Sequence, residues 1–497
     1  MTSPSNATPA AALTLPVQRT LYYGGAWHAP RGGTMAETLN PSTGGSLGAV
    51  ACAGADDVDA AVAAARRGFL AWRDVAPLER ARILRRVAEI LRRHAGELAM
   101  IDAANCGNPV HEMTSDAMVA AAQLEFFAGL VTEMKGASIP MGPDVVNFSV
   151  REPVGVVARI VPFNHPFMFA AGKSAAPLAA GNAVIVKPPD QAPLSALRLA
   201  ELMDGLLPAG VFNVVPGDRA TGAALAGHRD VAMVAIIGSV AAGRAVMRAA
   251  SETVKPLLLE LGGKNALIAY PDADPDDVAG AVIGGMNFTW CGQSCGSTSR
   301  AFVHHKIYEA VLERVKARIG AFVPGIATDP ATTMGAIVSA AQMDRVLGHI
   351  DSAKRDGARL LCGGGRPANP ALAGGWFVEP TVFADVTPDM RVAQEEIFGP
   401  VLAILRWSDE AHMLAAVNAV DYGLTCSIWT QDLSTAHRTA KAVEAGYVWI
   451  NEVGKHFLGA PFGGYKQSGL GREECFEEML SFTQEKNIHV KLKSPKA

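Results

Sequence analysis

The chain has 497 residues, 49% of them hydrophobic and 19% charged, with a formal net charge of −4. No basic run marks a nucleic-acid partner, and no apolar run is long and unbroken enough to make a membrane partner expected. A chain of this length buries a core divided over two or more lobes.

The first twenty residues, MTSPSNATPAAALTLPVQRT, lack a charged start ahead of an apolar core and read as a disordered arm, not a signal peptide. From Ala55 to Lys135 the period is helical. Ile83, Val87, Ile90 and Leu91 fall on one face, and Arg85, Arg86, Arg92 and Arg93 fill the other as a solvated surface with no assigned function. Alternation over Val145 to Val150, and again from Val154, predicts two strands. The apolar runs NAVIVKP, VFNVVPG and VAMVAIIGS follow, separated by helical patterns. Strands and helices in this alternation imply right-handed crossovers and a parallel sheet covered on both faces, a nucleotide-binding architecture by type.

Ligands of such sheets sit at the carboxyl ends of the strands. That singles out Asn164, Lys187 with Asp190, Gly217, and Gly238 with Ser239. Lys187 can meet an adenosine ribose or phosphate, and Asp190 can accept from a ribose diol while repelling a 2′-phosphate; a surface ion pair is the competing reading. Ser239 stands at the mouth of a helix, where free amides favour an anion. Glu260, inside the apolar run PLLLELGGKNALIAY, must be paired or carry a raised pKa. A pKa nearer neutral suits a general base, whereas the bland alternative is a carboxylate capping nearby amides.

The stretch NFTWCGQSCGSTSR sets Cys295 among glycines and short hydroxyl residues, either as an accessible nucleophile or as a packed small side chain. A second α/β series follows. It comprises RAFVHH, helices from Ile307 to Phe322 and around Ala340 to Arg355, strands in GWFVEPTVF and EEIFGPVLAIL, a helix from Glu410 to Val420, and strands in CSIWT and AGYVWINE. The tail EKNIHVKLK alternates and is expected to add a strand to another subunit. The seven cysteines are odd in number and scattered, which fits a reducing compartment and a cytoplasmic location. Cys291, Cys295, His304 and His305 match no usual zinc spacing, so no metal is expected.

Seven stretches in order, PFNHP (162 to 166), VKPPD (186 to 190), GS (238 to 239), LELGGKN (259 to 265), GQSC (292 to 295), EEIFGP (395 to 400) and PFGGYKQSG (461 to 469), make the chain resemble the NAD(P)-dependent aldehyde dehydrogenase superfamily from about Leu21 to Lys493. The resemblance implies an α/β fold with a Rossmann-like cofactor domain (21–134 and 154–262), an α/β catalytic domain (263–464) and oligomerisation strands (135–153 and 480–497), assembled as a homodimer or homotetramer. It implies that Cys295 attacks the aldehyde, that the Asn164 amide and the Cys295 N–H hold the oxyanion, and that Glu260 activates water to hydrolyse the thioester. Lys173 matches a lysine near that glutamate. Lys187 and Asp190 would hold the adenosine ribose, Ser239 after Gly238 the pyrophosphate, and Glu396 the nicotinamide ribose, with Phe398 nearby. The Asp190 carboxylate argues for NAD over NADP.

By the same resemblance the aldehyde tunnel is lined by Phe163, His165, Phe169, Gly172, Ser294, Gly296, Val453 and His456. Gly172 and Gly296 lack bulk, so a wide tunnel for an aromatic or long-chain aldehyde is expected. Trp290-Cys291 replaces the Asn-Gln of many members, and Cys291 reads as packed. The alternatives are acyl transfer to coenzyme A, against which Glu260 argues, and a thiol hydrolase or acyltransferase using His304 or His305.

Overall fold

The structure, a computed structural model, describes residues 13–31 and 34–492. Its first sheet is built from the apolar runs: Phe212–Val214, Ala183–Lys187, Val156–Ile160, Met233–Ile237 and Leu257–Glu260 lie side by side in that order and all run parallel. Side chains alternate across a strand, so each run feeds two cores. Val157, Val184, Val186 and Ala235 pack on one face with Leu84, Leu124 and Leu197. Val156, Ala158, Ile185, Val234 and Ile236 pack on the other with Val58, Leu225 and Val246. Both edges are antiparallel. The hairpin Leu21–Tyr23 and Ala26–His28 closes one, and the two-residue strand Gly469–Leu470 closes the other by pairing with Leu259 and Glu260.

The second sheet, Arg359–Cys362, Thr381–Ala384, Val401–Trp407, Arg300–His304, Ala266–Ala269, Thr425–Trp429 and Tyr447–Ile450, is parallel except at its first strand. The helix Ala340–Arg355 packs on one of its faces through Met343, Val346 and Ile350. The helices Pro275–Gly285 and Tyr308–Arg318 cover the other. No helix among the described residues is long and apolar enough to cross a membrane.

One expectation gains a partner within the chain and another is corrected. The tail strand Thr483–Lys491 pairs antiparallel along one edge with Val145–Pro153 of its own chain, residue for residue from Thr483 opposite Pro153 to Lys491 opposite Val145, and its other edge has no strand among the described residues. Its alternation was visible, but the partner lies hundreds of positions upstream, and alternation carries no information on which strand is paired. The proposed arm of residues 1–20 is ordered at its end. Pro16 is buried, the Gln18 amide donates to Glu201 Oε1 (2.6 Å), and the Ala51 amide donates to Arg19 O (2.8 Å). Residues 1–12 lie outside the described part.

Candidate active site

A cavity of about 340 Å³ opens between the two lobes, and Asn164, Lys173, Glu260 and Cys295 all line it. The loop carrying Cys295 turns through left-handed backbone at Asn287, Cys291 and Gly292. A Cβ at Gly292 would collide with the Gly399 carbonyl, so only glycine fits there. Asn265 holds the loop: its Nδ2 donates to Cys295 O (2.6 Å) and Ser297 O (3.0 Å), while its Oδ1 accepts from the Thr425 amide (3.0 Å). A Cβ at Gly263 would sit 2.5 Å from the same Cys295 carbonyl. The glycine pair of LELGGKN thus serves close approach, and Asn265 was quoted in that stretch without a role. Cys291 is fully buried with Sγ 3.0 Å from Gly335 O, a packed thiol.

Glu260 ends the strand Leu257–Glu260 and is 4% exposed, yet neither carboxylate oxygen has a hydrogen-bond partner among the described residues. The capping alternative is therefore excluded. Burial, and secondarily the Glu473 carboxylate, raises its pKa well above the usual carboxylate range. Burial, with Glu260 and Glu396, pushes the Cys295 thiol up to about 12. Asn164 Oδ1 is likewise sealed and unpartnered, while its backbone carbonyl accepts from Asn108 Nδ2 (2.7 Å).

Behind Glu260 lies a charge network that the motifs did not reveal. Lys173 Nζ meets Glu473 Oε2 (2.9 Å) and Glu474 Oε1 (3.3 Å), and Arg159 Nη2 meets Glu473 Oε1 (2.6 Å) with Glu478 Oε1 at 3.6 Å. The acidic run GREECFEE was its only sequence signal. Burial would lower the Lys173 pKa, but Glu473 and Glu474 raise it above the ordinary lysine value.

On the other side of the first sheet's carboxyl edge is a slot of about 260 Å³. Ile160, Gly222, Ala226, Ile236 and Val246 give it apolar walls, and Lys187 and Ser239 stand at its polar end. Ser239 caps the helix Val240–Ser251, its Oγ accepting from the Ala242 amide (3.2 Å), and the Gly238 amide donates to Glu260 O (2.9 Å). Lys187 Nζ donates to Pro188 O (3.0 Å) and is not ion-paired with Asp190, which is exposed. Burial lowers the Lys187 pKa. Glu396 Oε1 accepts from the Gly263 amide (3.0 Å), and burial raises its pKa. Gln342 and Arg345, unanticipated from the motifs, hold that loop by donating to Ile397 O, Phe398 O and Glu396 O. Phe398 has a left-handed backbone and meets Phe163 edge-on at 5.6 Å. A flat apolar slot with a lysine, a capped helix mouth and a carboxylate beyond fits a nucleotide cofactor.

Of the expected tunnel residues, His165, Phe169, Ser294, Gly296 and His456 line the cavity, joined by Met168, Trp290, Trp449 and Phe462. Three do not. Phe163 packs toward Phe398 and a small cluster with Cys106 and Met113. Gly172 faces Gln123 and Ala120 of the helix Val110–Gly129, where its missing Cβ permits helix packing rather than tunnel width. Val453 turns its methyl group onto Gly285 and the second lobe's core. At Gly296 a Cβ would meet only Ser294 Oγ, at 3.8 Å, so this glycine does leave open space.

A thiol, an unpaired buried acid and an amide thus share one cavity, beside an apolar slot with a lysine and a capped helix mouth. The aldehyde dehydrogenase family model matches residues 27–488, and the chain belongs to that family. It is an oxidoreductase acting on aldehydes with a nicotinamide cofactor. Aldehyde dehydrogenase tropH of Talaromyces stipitatus is 52% identical over 486 residues, covering 96% of this chain and 94% of that protein. A putative aldehyde dehydrogenase from Burkholderia cenocepacia superposes with a TM-score of 0.94 at 39% identity, covering 97% of this chain and 99% of the other. The NAD+ complex of an aldehyde dehydrogenase from Bacillus cereus superposes with a TM-score of 0.92 at 37% identity, covering 96% and 97%.

Proposed function

We propose that the enzyme oxidises aromatic or long-chain aldehydes to carboxylates with NAD, through a thioester on Cys295 that water hydrolyses. The observation that carries this is Glu260, a sealed and unpaired carboxylate in the same cavity as Cys295 and Asn164. The Cys295 thiolate, its proton already lost to solvent, adds to the aldehyde carbon, and the carbonyl electrons move onto oxygen. The Asn164 amide and the Cys295 N–H hold that oxyanion until hydride loss leaves a thioester. Glu260 then takes a proton from water, hydroxide adds to the thioester carbon, and the C–S bond breaks to give the acid and the thiolate. When bound, the nicotinamide supplies the hydride acceptor and a positive charge beside the thiol.

The walls of Phe169, Trp290, Trp449 and Phe462 support an aromatic or long apolar substrate. The exposed Asp190 carboxylate, free of an ion pair with Lys187, supports NAD by repelling a 2′-phosphate. Neither His304 nor His305 lines the cavity; their rings lie 4.3 Å apart, tilted at 45°, so the hydrolase reading has no base from that pair. The test is a steady-state screen of benzaldehyde and aliphatic aldehydes with NAD and NADP, beside Cys295→Ser and Glu260→Gln. The serine variant is expected to lose turnover. The glutamine variant is expected to give one burst of NADH and a trapped thioester visible by intact mass. Full turnover in either variant, or a requirement for coenzyme A, would refute the mechanism.

A further inference from the structure

We infer that His165 and Asp116 form a hydroxyl-recognition pair in the aldehyde cavity, so that the enzyme selects aldehydes carrying a hydroxyl near the reacting carbonyl. This rests on the cavity being the aldehyde site proposed above. Asp116 projects from the helix Val110–Gly129, and its Oδ2 lies 2.7 Å from His165 Nδ1, with both side chains more than nine-tenths buried. Both residues line the cavity that contains Cys295.

The imidazole is fixed in orientation. It meets Trp290 edge-on at 4.6 Å and Phe169 at 5.5 Å, and the turn after it is pinned where the Phe167 amide donates to Asp102 Oδ2 (3.1 Å). With Nδ1 engaged by the carboxylate, Nε2 is the one ring nitrogen left for a ligand, and it makes no hydrogen bond among the described residues. His165 directly follows Asn164. Both line the cavity of Cys295, and the His165 ring meets Trp290 of the loop that carries that cysteine, so the group that Nε2 meets belongs to a substrate held at Cys295.

The chemistry of that group follows from the proton. With Nδ1–H donated to Asp116, a neutral ring offers Nε2 as an acceptor and a protonated ring offers it as a donor. A hydroxyl satisfies both forms, and an ether or ketone only the second. A bare hydrocarbon leaves the nitrogen desolvated and unpaired. An anionic substituent fits poorly because two carboxylates near the imidazole, Asp116 and Glu112, line this cavity, while Lys173 is engaged by Glu473 and Glu474. Burial by itself would lower the His165 pKa, but Asp116 raises it, in keeping with a pair that retains its proton.

The experiment compares kcat/KM for benzaldehyde against 3-hydroxybenzaldehyde, and for butanal against 3-hydroxybutanal, in wild type, His165→Phe and Asp116→Asn. The two pairs separate a ring hydroxyl from a chain hydroxyl. Taking the ratio within each protein cancels differences in expression, and comparing the ratios between proteins cancels differences in substrate reactivity. The hydroxyl preference in at least one pair is expected to fall about ten-fold in His165→Phe, the scale of one lost charge-assisted hydrogen bond, and by a smaller factor in Asp116→Asn. If the variants fail to fold, competitive inhibition of the wild type still decides: 3-hydroxybenzyl alcohol or 1,3-butanediol is expected to inhibit several-fold more tightly than benzyl alcohol or 1-butanol. Ratios unchanged in His165→Phe, or equal inhibition within both alcohol pairs, would overturn the recognition pair while leaving aldehyde oxidation standing. Failure of the wild type to oxidise any of these aldehydes with NAD would remove the underlying reading and this inference together.

Discussion

At neutral pH a thiol pushed up to about 12 is almost wholly protonated, so Cys295 in the protein alone is a weak nucleophile. Alkylation by iodoacetamide at pH 7.5, followed by intact mass, is expected to be slow without NAD and at least ~ten-fold faster with it, because a positive charge beside the sulfur favours the thiolate. Equal rates would mean that activation comes from the chain itself. Lys264 is a different case: its Nζ is sealed without a hydrogen-bond partner among the described residues, and burial lowers its pKa to about 7. His349, whose ring nitrogens make no hydrogen bond among the described residues although Nε2 lies 3.8 Å from Glu395 Oε2, is lowered to about 4 by burial and nearby cations. Because the folded lysine binds its proton less tightly than the unfolded one, its penalty is full below about pH 7 and fades as pH rises toward the ordinary lysine value. Lys264→Met is therefore expected to stabilise the fold by ~1–4 kcal/mol, more at pH 6 than at pH 10, in denaturant melts. Cys295, Glu260 and Asn164 were legible because each sits in a motif. Lys264 and Asn265 stood in the same motif, but a sequence shows neighbours along the chain and not the Cys295 carbonyl that Asn265 reaches across it.

Elements were most legible where the period was clean. NAVIVKP became Ala183–Lys187, and the helix expected around Ala340 to Arg355 has those bounds. The two-residue strand Gly469–Leu470 was not visible, since so short a run carries no period and is defined only by its partners Leu259 and Glu260. The small sheet of Thr483–Lys491, Val145–Pro153 and Ser138–Ile139 bears on assembly. Val146 and Val490 are direct partners in register, so their side chains share a face, and both are exposed. With Phe148 opposite Ile488, they form an apolar stripe in keeping with the proposed dimer or tetramer. Val146→Asp combined with Val490→Asp is expected to shift sedimentation velocity to a smaller species with native circular dichroism. An unchanged sedimentation coefficient would assign assembly to another surface.

For the whole molecule, the Arg159, Glu473, Glu478 and Lys173 network stitches the first sheet to the segment after Gly471. Arg159 is fully buried, and removing it leaves Glu478 without its nearest cation and Glu473 with Lys173 alone. Arg159→Met is expected to cost ~3–5 kcal/mol by chemical denaturation at pH 7. Burial alone would raise Glu473, but Arg159 and Lys173 hold it below the usual carboxylate range. Its contribution is thus present above the ordinary carboxylate pKa and lost as pH falls through the lower folded value, so the gap between variant and wild type narrows in acid. A variant as stable as wild type at pH 7 would show that the network is not a brace.

The edge strand Gly469–Leu470 also imposes an order of events during synthesis. Domains fold largely as they leave the ribosome, yet Glu260 emerges long before the strand that pairs with it, and before the Glu473 that shares its surroundings. A nascent chain can therefore display Cys295 and Glu260 without the packing that raises their proton affinities. The finished pocket is a late product of translation, and Cys295 passes through an interval in which it is an ordinary thiol.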